Sequence, residues 1–209
     1  MGRVEAAEFP HQWRAEVLAK SPLIAPARQF VYPRQIAGEE DALARGALLV
    51  QVQPAAGGAF LATCALGFSD TAMPSGVWAC PNPREMCAVA GGYAYAIDTE
   101  APERATLIGL KPVTQVLGMI AHRLLVFVGF HRMLAWGVDG LAWETARLSW
   151  EGIRVSGVEG DALRGFGWEM NADAEVEFAV DLRTGTHTGG GFGRADRGGR
   201  DTPVGGFRR

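Results

Sequence analysis

The chain has 209 residues, 48% hydrophobic and 21% charged, ordinary proportions for a globular protein and enough length for one domain with a substantial core. Its formal net charge of −3 argues against a general binder of nucleic acid or anionic membrane. No stretch approaches the ~20 apolar residues of a membrane span, and Glu5 and Glu8 interrupt any signal-peptide pattern, so a soluble cytoplasmic protein is expected.

Residues 1–46 read as an arm packed along the body. Pro10, Pro22, Pro26 and Pro33 forbid a long helix. A turn or two of helix is expected at Gln12–Lys20, where Trp13, Val17 and Leu18 share a face. Gly38–Arg45 runs from acids to arginine, the order a short helix favours, and Gly46 can close it. The β domain then covers 47–186. Leu48–Gln53 and Ala59–Leu66 flank the turn residues of 54–58 as a hairpin. A loop from Gly67 to Pro83 holds one apolar island, Val77–Ala79. Met86–Ala90, Tyr93–Thr99, Thr106–Leu110 and Val113–Ile120 are the next strands.

Leu124–Phe130 is a continuous apolar run, suited to a strand covered on both faces. Asp139-Gly140 is a two-residue hairpin signal between Met133–Val138 and Leu141–Leu148, and Gly160-Asp161 is another between Ile153–Val158 and Ala162–Trp168. Val176, Phe178, Val180 and Leu182 alternate with polar or small residues, the pattern of a half-buried strand. Residues 187–209 change character. From Gly189 onward there are eight glycines, five arginines and two aspartates, too little apolar surface to offset ordering entropy. Two short arginine–glycine segments there are the one place where nucleic acid could be held weakly.

One phrase recurs three times: Tyr95-Ala96-Ile97-Asp98, Trp136-Gly137-Val138-Asp139 and Phe178-Ala179-Val180-Asp181. Its aspartates are 41 and 42 residues apart, about the length of a four-stranded propeller blade. The aromatic and the β-branched residue share one strand face, and the small residue looks the other way. The phrase resembles the blades of β-propeller proteins, and Val180–Gly185 (VDLRTG) looks like the strand-end turn of quinoprotein-type blades. The resemblance covers about half the chain, from Cys80 to Gly185, and implies an all-β antiparallel meander with propeller-like repeats. A β-sandwich or open barrel is the alternative, because three phrases make at most three blades.

Asp98, Asp139 and Asp181 should end their strands by bonding backbone N–H groups two residues on. Gathered around one rim, they would instead be candidate ligands for a hard cation. Glu144, beside Trp143, and Glu169, beside Trp168, are candidate catalytic carboxylates, since paired carboxyl groups next to aromatic faces suit glycoside hydrolysis. His11, His122, His131 and His187 show no metal-ligand spacing, and Cys64, Cys80 and Cys87 are too few and too irregular for a disulfide framework or a zinc knuckle. No phosphate loop, dinucleotide fingerprint or nucleophile elbow appears, so no cofactor is expected. The leading expectation is a non-enzymatic binding or scaffolding domain with a protein or small-molecule partner, with self-association also compatible. The competing one is a carboxylate-based or metal-assisted hydrolase.

Overall fold

The computed structural model describes residues 9–33 and 43–191, and the backbone of 3–5. Those residues form an all-β fold of four sheets. The first holds β2 (Arg14–Leu18), β3 (Arg28–Tyr32), β4 (Ala47–Gln53) and β5 (Phe60–Ala65) in the order β2-β4-β5-β3, with β3 parallel to β5. The second is a meander of β6 (Gly76–Ala79), β7 (Glu85–Ala90), β8 (Tyr93–Asp98) and β9 (Ala105–Leu107), with β1 (Arg3–Glu5) added parallel to β6. The third comprises β10 (Gln115–Met119), β11 (Leu124–Val128), β12 (Met133–Gly137) and β13 (Gly140–Glu144). The fourth comprises β14 (Ile153–Glu159), β15 (Ala162–Glu169), β16 (Ala174–Asp181) and β17 (His187–Gly189). Among the described residues the only helix is a 3-10 turn at Ile120–His122, and no helix is long and apolar enough to cross a membrane.

One expectation for the first 46 residues needs correction, and a second lies largely outside the described residues. Gln12–Lys20 is not helical: Arg14–Leu18 pairs with β4 as an edge strand, directed outward at Arg14 and Glu16. Local propensity is weak, and a free strand edge on β4 decides the matter. The helix expected at Gly38–Arg45 falls partly on 34–42, outside the described residues, while Leu43–Arg45 form a turn closed by Gly46 N–H on the Leu43 carbonyl. The apolar island Val77–Ala79 is strand β6, paired with β7. The Asp139 hairpin turns one residue earlier than expected, on Val138-Asp139, with Gly137 and Gly140 as the closing pair. The last sheet includes β17, which begins at His187 and pairs with β16 as far as Gly189. The remainder of the expected tail, 192–209, lies outside the described residues.

The sheets stack in chain order around two apolar clusters. One joins the first three sheets; the other joins the third and fourth. Strand β11 shows why. All five of its residues are buried, with Leu125 and Phe127 in the first cluster and Leu124, Val126 and Val128 in the second. The three repeated phrases fall on β8, on β12 with its turn, and on β16, each the third strand of a four-stranded meander. In each the aromatic faces the preceding sheet. Tyr95 donates its hydroxyl to the Ala65 carbonyl at 2.8 Å, Trp136 donates to Glu85 at 3.0 Å, and Phe178 is buried with Leu124 and Val126.

Gly165 makes room within the fourth sheet, and Gly167 lets that sheet approach the Leu148 segment. A methyl group at Gly165 would collide with the Phe178 ring and the Arg154 carbonyl, and one at Gly167 with the Leu148 carbonyl. The outer face of that sheet carries charge instead. Arg154 pairs with Glu175 at 2.5 Å, and Arg164 pairs with Glu159 at 2.6 Å and Glu177 at 3.4 Å. Burying those charges against another sheet would be costly, so the stack ends there. Phe178→Ala should lower stability by about 3–5 kcal/mol, and Gly165→Val by about 1–3 kcal/mol, both read from urea unfolding midpoints.

Candidate functional site

Strand direction brings the turns that hold Asp98, Asp139, Asp161 and Asp181 to one end of the stack. Asp98 Oδ1 accepts the Glu100 N–H at 3.0 Å and the Ala101 N–H at 3.3 Å. Asp181 Oδ1 does the same for Arg183 at 2.7 Å and Thr184 at 3.1 Å. Asp139 is exposed in its hairpin. Among the described residues, no three His, Cys, Asp or Glu side chains converge where a metal ion could sit.

Glu144 and Glu169 lie on different sheets and serve different neighbours. Glu144 forms an ion pair with Arg132, whose guanidinium also donates to the Gly109 carbonyl at 3.2 Å. Glu169 caps the β15–β16 turn, accepting N–H bonds from Asn171 at 3.2 Å and Ala172 at 2.5 Å. Those bonds, Ala172 first, hold its carboxyl below the ordinary glutamate range. A general acid needs the opposite displacement.

His122 finds a carboxylate partner. Its Nε2 lies 2.8 Å from Asp161 Oδ1, and Asp161 Oδ2 takes Arg183 at 2.6 Å. The hydrogen bond from His122 and the charge of Arg183 hold the Asp161 carboxyl below its usual range. This knot ties the third sheet to the fourth and lines a cavity of about 500 Å³ floored by Leu124 and Leu182. Its lining includes no serine, cysteine, threonine or lysine. His187 is half-buried on β17, and burial draws its imidazole below the ordinary value.

The opposite end carries a different chemistry. Arg147 stacks over the Trp150 ring at 4.6 Å and donates to the carbonyls of Ser149 at 3.0 Å and Trp150 at 3.3 Å. His131 accepts through its carbonyl the N–H groups of Leu148 and Ser149, and Phe130 beside it is 39% exposed. A rigid patch of aromatic and cationic side chains results.

Glu85 escaped the sequence reading. It is a half-buried carboxylate whose Oε2 accepts the Trp136 indole, with Asp98 directly across the β7–β8 pair. Burial first, then the nearby Asp98 charge, pushes its carboxyl above the ordinary range; the Trp136 bond and Arg84 pull the other way. The signal was available: counting outward residue by residue from the Gly91-Gly92 turn brings Glu85 opposite Asp98. Cys64, Cys80 and Cys87 are all buried and unbonded, and burial pushes each thiol far up.

No protein-family model matches the chain, and no curated protein matches its sequence.

Asp181→Ala should cost about 1 kcal/mol by removing turn hydrogen bonds, while Asp181→Asn restores most of it because the amide oxygen still accepts. Urea unfolding of the two variants measures this. In native buffer a thiol reagent should modify none of the three cysteines at an appreciable rate, and all three after denaturation.

Proposed function

We propose that the protein is a non-enzymatic binding or scaffolding domain, built as a propeller-like array in which each sheet is a blade. The observation that carries this reading is the patch of Phe130, His131, Arg147 and Trp150. Tryptophan and arginine on a fixed backbone are the side chains that dominate binding energy at protein interfaces. The engagement of the acids supports it from the other side. Asp98, Asp181 and Glu169 fasten turns, and Glu144 and Asp161 are ion-paired. Of the carboxylates that the hydrolase reading would use, Asp98, Asp181, Glu144 and Glu169 thus each have a structural task.

The partner is taken to be a protein, bound at the loop end through its own acidic and apolar groups. Affinity capture from host extract with the full chain, beside the Arg147→Ala/Trp150→Ala double variant, tests the reading. A partner recovered by the parent chain and lost by a variant with an unchanged circular dichroism spectrum supports it. Equal recovery by both chains, or turnover of a glycoside lost with Glu144→Gln, overturns it.

A further inference from the structure

Three sheets meet at Glu85. Its backbone carbonyl accepts the indole N–H of Trp13, which leads into the first sheet, at 3.1 Å. Its side chain accepts the indole N–H of Trp136, from the third sheet, at 3.0 Å. Its own N–H bonds the Asn82 carbonyl, and its carbonyl also takes the Cys80 N–H at 3.3 Å. The residue is therefore fixed in place by the backbone while its carboxyl group is drawn half out of water between two sheets.

The charged and titratable groups around it do little to balance an ionised carboxylate. Asp98 is the directly opposed residue on β8 and carries the same charge. The buried thiols of Cys80 and Cys87 stay neutral beside it, each pushed up partly by the Glu85 charge itself. Arg84 is the nearest cation that opposes this, but it is half-exposed and also turned toward Glu100 at 3.7 Å. Trp13 and Trp136 bring N–H donors and no charge. Ionisation thus leaves a half-desolvated charge facing a like charge.

We propose that Glu85 is a proton-sensitive joint: taking up a proton tightens the meeting of the second and third sheets, and losing it loosens them. A protonated carboxyl still offers an oxygen to the Trp136 indole while removing both the desolvation and the repulsion from Asp98. The sign follows from the upward displacement of the Glu85 carboxyl in the folded chain. The folded state holds the proton more tightly than the unfolded one, so this contribution to stability is full below the unfolded value and is lost as pH rises through the folded one. It runs against ordinary acid denaturation, in which paired carboxylates lose their partners.

The test uses the full chain and the Trp136 indole N–H as reporter, its resonance assigned by its disappearance in Trp136→Phe. In the parent protein the resonance should titrate with a midpoint above the ordinary glutamate value of about 4.3, and Asp98→Asn, which keeps the turn-capping oxygen, should lower that midpoint. Glu85→Gln should abolish the titration and unfold at higher urea than the parent near pH ~8, with the difference vanishing below about pH 4. A resonance that does not move with pH, or that titrates at or below the ordinary value, overturns the proposal. So does a Glu85→Gln chain less stable than the parent near pH ~8. If that variant fails to fold, the parent and Asp98→Asn titrations decide the question alone.

Discussion

The constraint on which the structure depends is that an inner sheet must be covered on both faces while its neighbours remain in register. Apolar burial supplies the cover, and it has no direction of its own. Direction comes from aromatic donors that cross each junction to a single acceptor. Tyr95 reaches the Ala65 carbonyl and Tyr32 reaches the Pro102 carbonyl between the first and second sheets. Trp136 reaches Glu85 between the second and third, and Trp143 reaches the Leu182 carbonyl between the third and fourth. Each side chain buries a large ring and ends in a polar atom that must be satisfied. A sheet sliding against its neighbour would leave that donor unpaired inside the core, so these contacts fix where apolar surfaces meet.

Much of this fold was legible because β-strands report their faces directly. The alternation along β16 matched its burial, and the apolar run at Leu124–Phe130 correctly signalled a strand with a sheet on either side, though the strand itself ends at Val128. The Gly160-Asp161 turn lay where its chemistry placed it, between the paired Glu159 and Ala162. What failed was local in cause. Trp13, Val17 and Leu18 share a face under helical spacing, yet Val17 and Leu18 face opposite sides of a strand, and the exposed edge of β4 chose between the two. Sequence distance hid that edge, because β4 begins nearly thirty residues after β2 ends.

The candidate sites were less legible, for a related reason. A residue type beside a tryptophan suggests chemistry, but chemistry depends on what the third dimension brings opposite. Glu144 and Glu169 looked alike in sequence and proved to hold an arginine and a turn respectively. Glu85 looked unremarkable after a proline-rich turn, and it is the carboxylate whose environment penalises its charge. Its position follows only from pairing: the register of β7 on β8 sets Asp98 across from it, and the packing of β12 sets Trp136 on it. Pair register can be counted from a turn, whereas contact between sheets cannot.

The two ends of the stack divide their work accordingly. At the aspartate end, side chains are spent on the chain itself, closing turns and tying His122 and Arg183 to Asp161. At the other end Glu169 and Ser149 still hold turns through their side chains, but main-chain bonds supply much of the closure. The His131 carbonyl takes the Leu148 N–H at 2.7 Å, the Trp168 carbonyl takes the Trp150 N–H at 3.0 Å, and the Leu148 carbonyl takes the Gly191 N–H at 2.8 Å. Backbone closure places Phe130 at the surface and holds Trp150 beneath the Arg147 guanidinium without requiring either ring to close a turn. Side chains at that end which close no turn, such as Phe130, can vary without losing the fold, and it is there that a recognition surface can be built at least cost to stability.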